Sequence, residues 1–551
     1  MRETTTARSA AALSALAVGV LVGTLAPRAA TASGWRTVTE SSLDERWAST
    51  QVSSVQVGRP NADDDSRLDP SSHLEHRLRL GGSVALVKPG AWLTALRLEA
   101  RAEVASNILS PDGFDPLLAA DPYNPAGADL ASADSNRIRA LKLELTTRAG
   151  QLSVGRTINR WGLGLLAQPA QDEPYQFGLK RRGHAVDRIG YLGMPAAFGG
   201  GDPRDAFPLF VALAVDRLAF DDLADRNNGD RGGQALAALL YRTDALTVGV
   251  YGVMRRQRDN DDLGIDAVGG DVFVASKVEL GADWTLRFAT EWVLLRGETT
   301  YFQTQGGVDA LQIEQLGGAA RVDLDHRMFG VRLEGGYASG DADPFDDRFG
   351  NFSASQDYRV GLVLFPEVIR RQTAVTAANL SDPRYTGTPP SGYERLATGG
   401  SWTNAIYLAP TLRFSPVDDL ALLAGAVWAT SPTDVMDAYQ TNLDGGATTA
   451  WRGAQGKRGL GLELDAGIRY TLRACRFADG GCPEAADPRD NQTPRWMQKP
   501  RPAQPWWAGL ALRAQVDAGM LLPGEAFEDA GGEAMDRVTV VVGALSLQGG
   551  W

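Results

Sequence analysis

Long stretches of this chain alternate apolar and polar residues with a period of two, which no helical register accommodates. From Ala91 to Val104, the residues Trp92, Thr94, Leu96, Leu98, Ala100, Ala102 and Val104 share one face, while Arg97, Glu99, Arg101 and Glu103 share the other. Successive side chains of a strand point to opposite sides, so this is a strand with one greasy and one charged face. The stripe recurs in Leu460, Leu462, Leu464, Ala466, Ile468, Tyr470 and Leu472, opposed by Glu463, Asp465 and Arg469. It recurs again in Trp506, Ala508, Leu510, Leu512, Ala514 and Val516, opposed by Arg513, Gln515 and Asp517. Trp284 to Leu294 sets Trp284, Leu286, Phe288, Trp292 and Leu294 against Arg287 and Glu291, and Met328 to Tyr337 sets Phe329, Val331, Leu333 and Tyr337 against Arg332 and Glu334. Each segment is long enough to cross a bilayer at a tilt.

The connections between stripes alternate in length. Tight turns at Lys88-Pro89-Gly90, Arg148-Ala149-Gly150, Arg242 to Ala245, Gly281-Ala282-Asp283, Asp325-His326-Arg327 and Ser415 to Asp419 alternate with long polar loops. Those loops fall around 106–135, 159–182, 257–269, 297–315, 339–400 and 431–458. Short turns on one side and long loops on the other are the signature of an all-β transmembrane antiparallel barrel, with the turns periplasmic and the loops extracellular. Holding that parity throughout gives about eighteen strands, from Arg46–Val57 to Trp551. Sixteen result if the faint segments Arg46–Val57 and His184–Leu192 are not strands. A Pro-rich, charged insert at 473–505 is the long exception among the periplasmic turns. A propeller would repeat every forty residues or so, and no such repeat is present. Aromatics at strand ends (Trp92, Trp284, Tyr337, Tyr407, Trp428, Tyr470, Trp506) fit interfacial girdles.

The N-terminal segment reads as a secretory signal peptide over residues 1–32. Arg2 and Arg8 precede an apolar core from Ala10 to Ala26, and Ala30-Thr31-Ala32 offers a small-residue cleavage site. The mature chain, 33–551, is then a single barrel, and its mean hydropathy of −0.20 reflects the lumenal half of every strand rather than solubility. A formal net charge of −12 argues against a nucleic-acid partner.

The charged faces place Arg97, Glu99, Arg101, Glu103, Arg287, Glu291, Arg332, Glu334, Arg413, Glu463, Asp465, Arg469 and Arg513 along the lumen as pore-lining candidates. Guanidinium groups there would attract anions. Alternatively, Arg and Glu of neighbouring strands pair into a neutral ladder. Cys475 and Cys482, the two cysteines of an exported chain, are close enough across a Gly-Gly turn to form a disulfide. Asp-rich loops at Asn61 to Asp65, Asp259 to Asp262 and Asp341 to Asp347 are candidate Ca²⁺ sites or solvated runs, and none has EF-hand spacing. The four histidines, His73, His76, His184 and His326, suggest neither a metal pair nor an enzyme: His73 and His76 fall on opposite strand faces, and no serine accompanies His184 or His326 at a lipid-facing site. No metal, cofactor or catalytic residue is expected.

Two segments break the stripe pattern. Gly155 to Ala167, GRTINRWGLGLLA, suggests a strand crowded by an inward-folded loop, because close backbone approach needs glycine. Asp357 to Pro366, DYRVGLVLFP, is an apolar, strand-like piece inside the 339–400 connection, and either lines a constriction or stands as a hairpin above the rim. With these segments and its C-terminal strand RVTVVVGALSLQGGW, the chain resembles large Gram-negative outer-membrane porins, most of all the alginate-export type of eighteen-stranded barrel, and uncharacterised porin-like proteins. The resemblance implies passive passage of small hydrophilic solutes, or export of a polysaccharide or other anionic substrate. A closed barrel serving as surface scaffold or adhesin is the alternative without transport. It also implies Trp551 as an assembly signal, with the barrel-assembly machinery, outer-membrane lipid and lipopolysaccharide as partners.

Overall fold

The computed structural model describes residues 34–57, 67–108, 136–195, 208–302, 310–387, 392–477, 482 and 506–550, apart from Pro89, Arg182, Ala282 and Ala454. The expected signal segment at 1–32, Asp63 to Asp65, the rest of the 473–505 insert and Trp551 lie outside these residues.

Eighteen long antiparallel strands make one sheet. They are β1 (Arg36–Val52), β2 (Ser71–Val87), β3 (Leu93–Ile108), β4 (Arg137–Thr147), β5 (Gly150–Ile158) and β6 (Ala185–Gly193). There follow β7 (Leu209–Phe220), β8 (Arg231–Arg242), β9 (Leu246–Arg258), β10 (Gly264–Leu280), β11 (Trp284–Thr299) and β12 (Leu311–Asp325). The last six are β13 (Phe329–Ala338), β14 (Ala405–Val417), β15 (Leu420–Thr430), β16 (Gly459–Arg473), β17 (Leu510–Pro523) and β18 (Val538–Gly550). Each pairs with its sequence neighbours, and β1 closes the cylinder on β18, with Ser42 opposite Gly550 and Val52 opposite Val540. Among the described residues closure leaves no long strand without a partner on either side, so the ladder N–H and C=O groups pair within the wall except at its bulges.

Both faint strands are present, so the count is eighteen and not sixteen. The first spans Arg36–Val52 instead of Arg46–Val57, because its polar N-terminal half pairs with β2 from Arg36 opposite Val87 onward. The expected loop at 257–269 shrinks to Asp259–Leu263, since β9 and β10 stay paired up to Arg258 opposite Gly264. The expected loop at 297–315 shrinks likewise, to 300–310. These strand ends are polar because they project beyond the apolar band.

The alternation sorts as the sequence indicates. On β16, Leu464, Ile468 and Tyr470 are exposed on the outer face, while Glu463, Asp465 and Arg469 are buried inside. On β11, Phe288, Trp292 and Leu294 point out and Glu291 points in. Trp92 is 70% exposed at the short-turn end. A cylinder ringed by Trp, Leu, Val and Phe would be an aggregation surface in water and is matched to hydrocarbon.

Four residues depart from the expected strands and faces. Leu460 is 1% exposed rather than outward, because Gly461, at φ +112°, sits at an irregularity where Ala429 pairs with Gly461 but Thr430 with Gly459. Trp506 and Ala508 are not in a strand but in a 3₁₀ turn, Trp506–Gly509, that leads into β17, and Ala508 is buried. Tyr407 is 3% exposed and turned inward onto Glu334, so it belongs to no outer girdle.

The lumen is not empty. Two long-end connections, the β5–β6 loop (159–184) and the β13–β14 loop (339–404), fold into the barrel. Leu163, Leu165, Phe177, Val360, Leu362 to Phe365, Val368 and Trp402 join one apolar cluster against the inner wall. The segment Asp357 to Pro366 is therefore neither strand nor surface hairpin. It turns into a π-helical stretch, Leu364–Ile369, continued by helix α1 (Arg370–Ser381). A short apolar run has no period to tell a strand from a buried helical turn. Among the described residues no helix is long and apolar enough to cross a membrane. Cys475 and Cys482 are disulfide-bonded just after β16.

Candidate functional site

The wall of β1 to β4 carries a charge ladder of the neutral kind. Arg97 reaches Glu40 (3.2 Å), Glu99 (2.5 Å) and Glu144 (3.1 Å). Arg101 pairs with Glu99 (2.7 Å), and Glu103 receives Arg79 (2.9 Å) and Arg139 (3.1 Å). Arg46 to Glu75 (2.9 Å) and Arg77 to Asp44 (2.7 Å) extend it around the wall. Of the thirteen pore-lining candidates, Arg97, Glu99, Arg101 and Glu103 belong to this ladder.

The others mostly hold the inward loops. Arg332 binds Asp323 on the wall (2.7 Å) and Glu173 on the β5–β6 loop (3.0 Å). Glu173 also takes Arg321 (2.8 Å) and Lys180 (3.6 Å). Burial alone would raise this carboxyl, but the cations Arg321, Lys180 and Arg332 hold it well below the usual carboxylate range. Arg469 donates to the carbonyls of Glu173, Pro174 and Gln176. Arg513 faces Asp172 at 3.8 Å. Nearer the short-turn end, Asp325 gathers Arg287 (2.8 Å), Arg413 (3.4 Å) and the Tyr175 hydroxyl (2.5 Å).

Wall carboxylates also accept from loop amides. Glu291 accepts Leu163, Gly164 and Leu165 N–H, and Glu463 accepts Leu362, Val363 and Leu364 N–H. Asp517, on β17, accepts Gly178 N–H at 2.9 Å. Glu334 receives the hydroxyls of Tyr358 (3.0 Å) and Tyr407 (2.9 Å). The two loops are also tied to each other, because Asp357 accepts the N–H groups of Arg181 and Gly183, both at 2.6 Å.

Between the loops and β12 to β16 lies a cavity of about 50 Å³, lined among others by Lys180, Arg321, Arg332, Arg359, Glu334 and Asp465. Asp465 is buried beside Glu463, with no donor reaching either oxygen. Basic and acidic side chains therefore both border this space.

His184, the last residue of the β5–β6 loop, ties it to the β7–β8 and β13–β14 connections. Its Nε2 meets Asp222 Oδ2 at 2.9 Å and Ser355 Oγ at 3.3 Å, and its Nδ1 meets the Leu166 carbonyl at 3.0 Å. A hydrolytic relay needs acid and serine on opposite ring nitrogens. Here both sit on Nε2, and the ring works as a clasp joining three loops. Burial would lower its pKa, but Asp222, with help from Asp221 and Asp357, raises it to about 9.

His73 is buried inside and His76 stacks on the outward Trp47 (4.3 Å), as opposite strand faces require. His326 stacks on Trp284 in a short turn. The Asp-rich runs are engaged locally. Asp259 caps Asp261 and Leu263 N–H and pairs with Arg395, and Asp341 accepts Asp343 and Gly350 N–H. Among the described residues no three His, Cys, Asp or Glu converge on a common point.

Sequence reasoning missed Glu173, Asp271, Asp357, Asp517, Arg321 and Arg359. Asp517 stood on an identified charged face, and the Asp172-Glu173 pair ahead of Lys180-Arg181 was visible as polar residues within an aromatic loop.

No family model matches the sequence, and no curated protein does. Among solved structures, Pseudomonas aeruginosa OccK8 (OprE) aligns over 93% of this chain and 98% of its own at 8% identity, with a TM-score of 0.45. Acinetobacter baumannii OccAB4 aligns over 93% and 98% at 10% identity and a TM-score of 0.47, and Pseudomonas aeruginosa OccK9 (OpdG) over 93% and 98% at 12% and 0.47. The fold described above comes from the strand pairing of this chain itself.

Proposed function

We propose that this protein is a porin-like channel of a bacterial outer membrane, passing small hydrophilic solutes passively through a lumen narrowed by two inward loops. The observation that carries this reading is the closed eighteen-stranded wall, greasy outside and charged inside, with the loops anchored within it. The signal segment expected from the sequence and the alternation of short turns with long loops support a periplasmic side for the turns and an outer side for the loops. Selectivity then comes from paired charges around a restricted passage and not from a ring of one sign.

Export of an anionic polysaccharide, as the alginate-export resemblance implies, would call for a continuous cationic track. The seven arginines among the pore-lining candidates are instead matched by carboxylates or spent on loop carbonyls. The loop filling does favour one second reading, a closed barrel whose outer loops do the work. Liposome swelling separates the two. Purified protein reconstituted with external sugars and amino acids of graded size should admit the small ones and exclude the large, whereas a scaffold would leave every solute outside.

A further inference from the structure

Two segments nearly two hundred residues apart carry the same short pattern. Gly162-Leu163-Gly164-Leu165 in the β5–β6 loop and Gly361-Leu362-Val363-Leu364 in the β13–β14 loop both read Gly-Leu-x-Leu. In each, the leading glycine is left-handed, at φ +53° and +70°. The three amides after it converge on one wall carboxylate. Gly164 and Leu165 N–H lie 3.0 and 3.4 Å from Glu291 Oε2, joined by Leu163, and Val363 and Leu364 N–H lie 2.8 and 2.7 Å from the Glu463 oxygens, joined by Leu362. Consecutive N–H groups turned into one concavity form an anion-binding nest. A Cβ on either leading glycine would stand 2.5 Å from the carboxylate, so only glycine permits the approach.

The wall residues match as well. Glu291 and Glu463 are each 0% exposed, and each has a second carboxylate beside it, Asp271 and Asp465 respectively. Neither is needed for strand pairing. The ladder runs unbroken from Phe273 through Glu291 to Ala319, and from Val427 through Glu463 to Leu521. Their side chains meet the loops and the neighbouring carboxylate.

We propose that Glu291 and Glu463 are a duplicated pair of latches, positioning residues that hold the two Gly-Leu-x-Leu loops across the lumen and so set its cross-section. They were expected to face solute, and here they face backbone. The inference rests on the channel reading for its consequence, but the latch itself does not.

Two measurements on detergent-purified full-length protein keep these apart. Hydrogen exchange reads the latch directly. In Glu291→Ala the amides of 161–167 should exchange faster by on the order of a hundredfold, the worth of about three hydrogen bonds of ordinary strength, while 360–366 stays protected. Glu463→Ala should give the converse. Glu291→Gln should stay near wild type, because its Oε1 can accept the three amides while Nε2 turns to Asp271. If either alanine variant fails to assemble, Gly162→Ala and Gly361→Ala strike the same contacts from the loop side and leave the wall intact. Unchanged exchange in folded variants overturns the latch. Planar-bilayer conductance then reads the consequence. A rise in the alanine variants but not in Glu291→Gln supports the full proposal. Loosened amides with no change of conductance leave the latch standing and overturn its role in a channel.

Discussion

Glu173 shows how single side chains organise this lumen. It belongs to a loop, yet it supplies the counter-charge for Arg321, Arg332 and Lys180. Breaking a buried charge cluster from one side strands its partners and costs about 3 to 5 kcal/mol. Glu173→Gln should therefore loosen the β5–β6 loop and shift the reversal potential in unequal salt toward anions; an unshifted potential would show that these cations do not face the conducting path. His184 makes a second residue-scale prediction. Its pKa is raised from 6.5 to about 9 by Asp222, Asp221 and Asp357, while Arg255 neutralises part of the Asp221 charge. A raised value means that the protonated clasp contributes fully below about pH 6.5 and is lost as pH rises through about 9, an effect on the order of 3 kcal/mol. Protection factors of the 355–357 amides, which remove the intrinsic base-catalysed rate, should fall across that alkaline window in wild type and be flat in His184→Gln. A flat wild-type profile would remove the clasp.

At the scale of elements, the irregularity in β16 is the most local test. A Cβ on Gly461 would lie 2.3 Å from the Leu522 carbonyl, and its φ of +112° is outside the range of ordinary side chains. Gly461→Ala should destabilise the barrel by about 1 to 3 kcal/mol, read as a lower unfolding midpoint, whereas a wild-type midpoint would mean that Leu460 is turned inward by something else. That position also marks the limit of what periodicity reveals. The stripes at 91–104, 284–294, 328–337 and 462–472 give strand, face and lipid side correctly, because each inner residue meets water or charge and each outer one meets hydrocarbon. A bulge reverses the faces without leaving a mark in the pattern, which is why Leu460 was placed outside. Polar strand ends such as Arg255 to Arg258 look like loop, since above the apolar band there is no reason to alternate. The plug segment 357–366 is apolar because it packs on other loops, so its composition matched a strand that it does not form.

For the whole molecule, the barrel was legible and its filling was not. Closure, strand number and the inward charge follow from neighbour-to-neighbour repetition, whereas the plug is held by contacts such as Gly178 to Asp517, separated by 339 positions. Nothing local in the sequence pairs such residues. The two faces of the wall make a prediction that belongs only at this scale. Arginine at outward Leu464 or Val272 should cost about 2 to 4 kcal/mol near the bilayer midplane, read from unfolding midpoints in lipid vesicles. A cost below about 1 kcal/mol would mean that these positions do not meet hydrocarbon. The most direct test of a water-filled path through that wall is electrical. Mature protein extracted in detergent and added to a planar bilayer should insert in discrete steps of small, uniform conductance. Bilayers that stay silent, with folded barrel shown by heat-modifiable migration to be present in them, would contradict it.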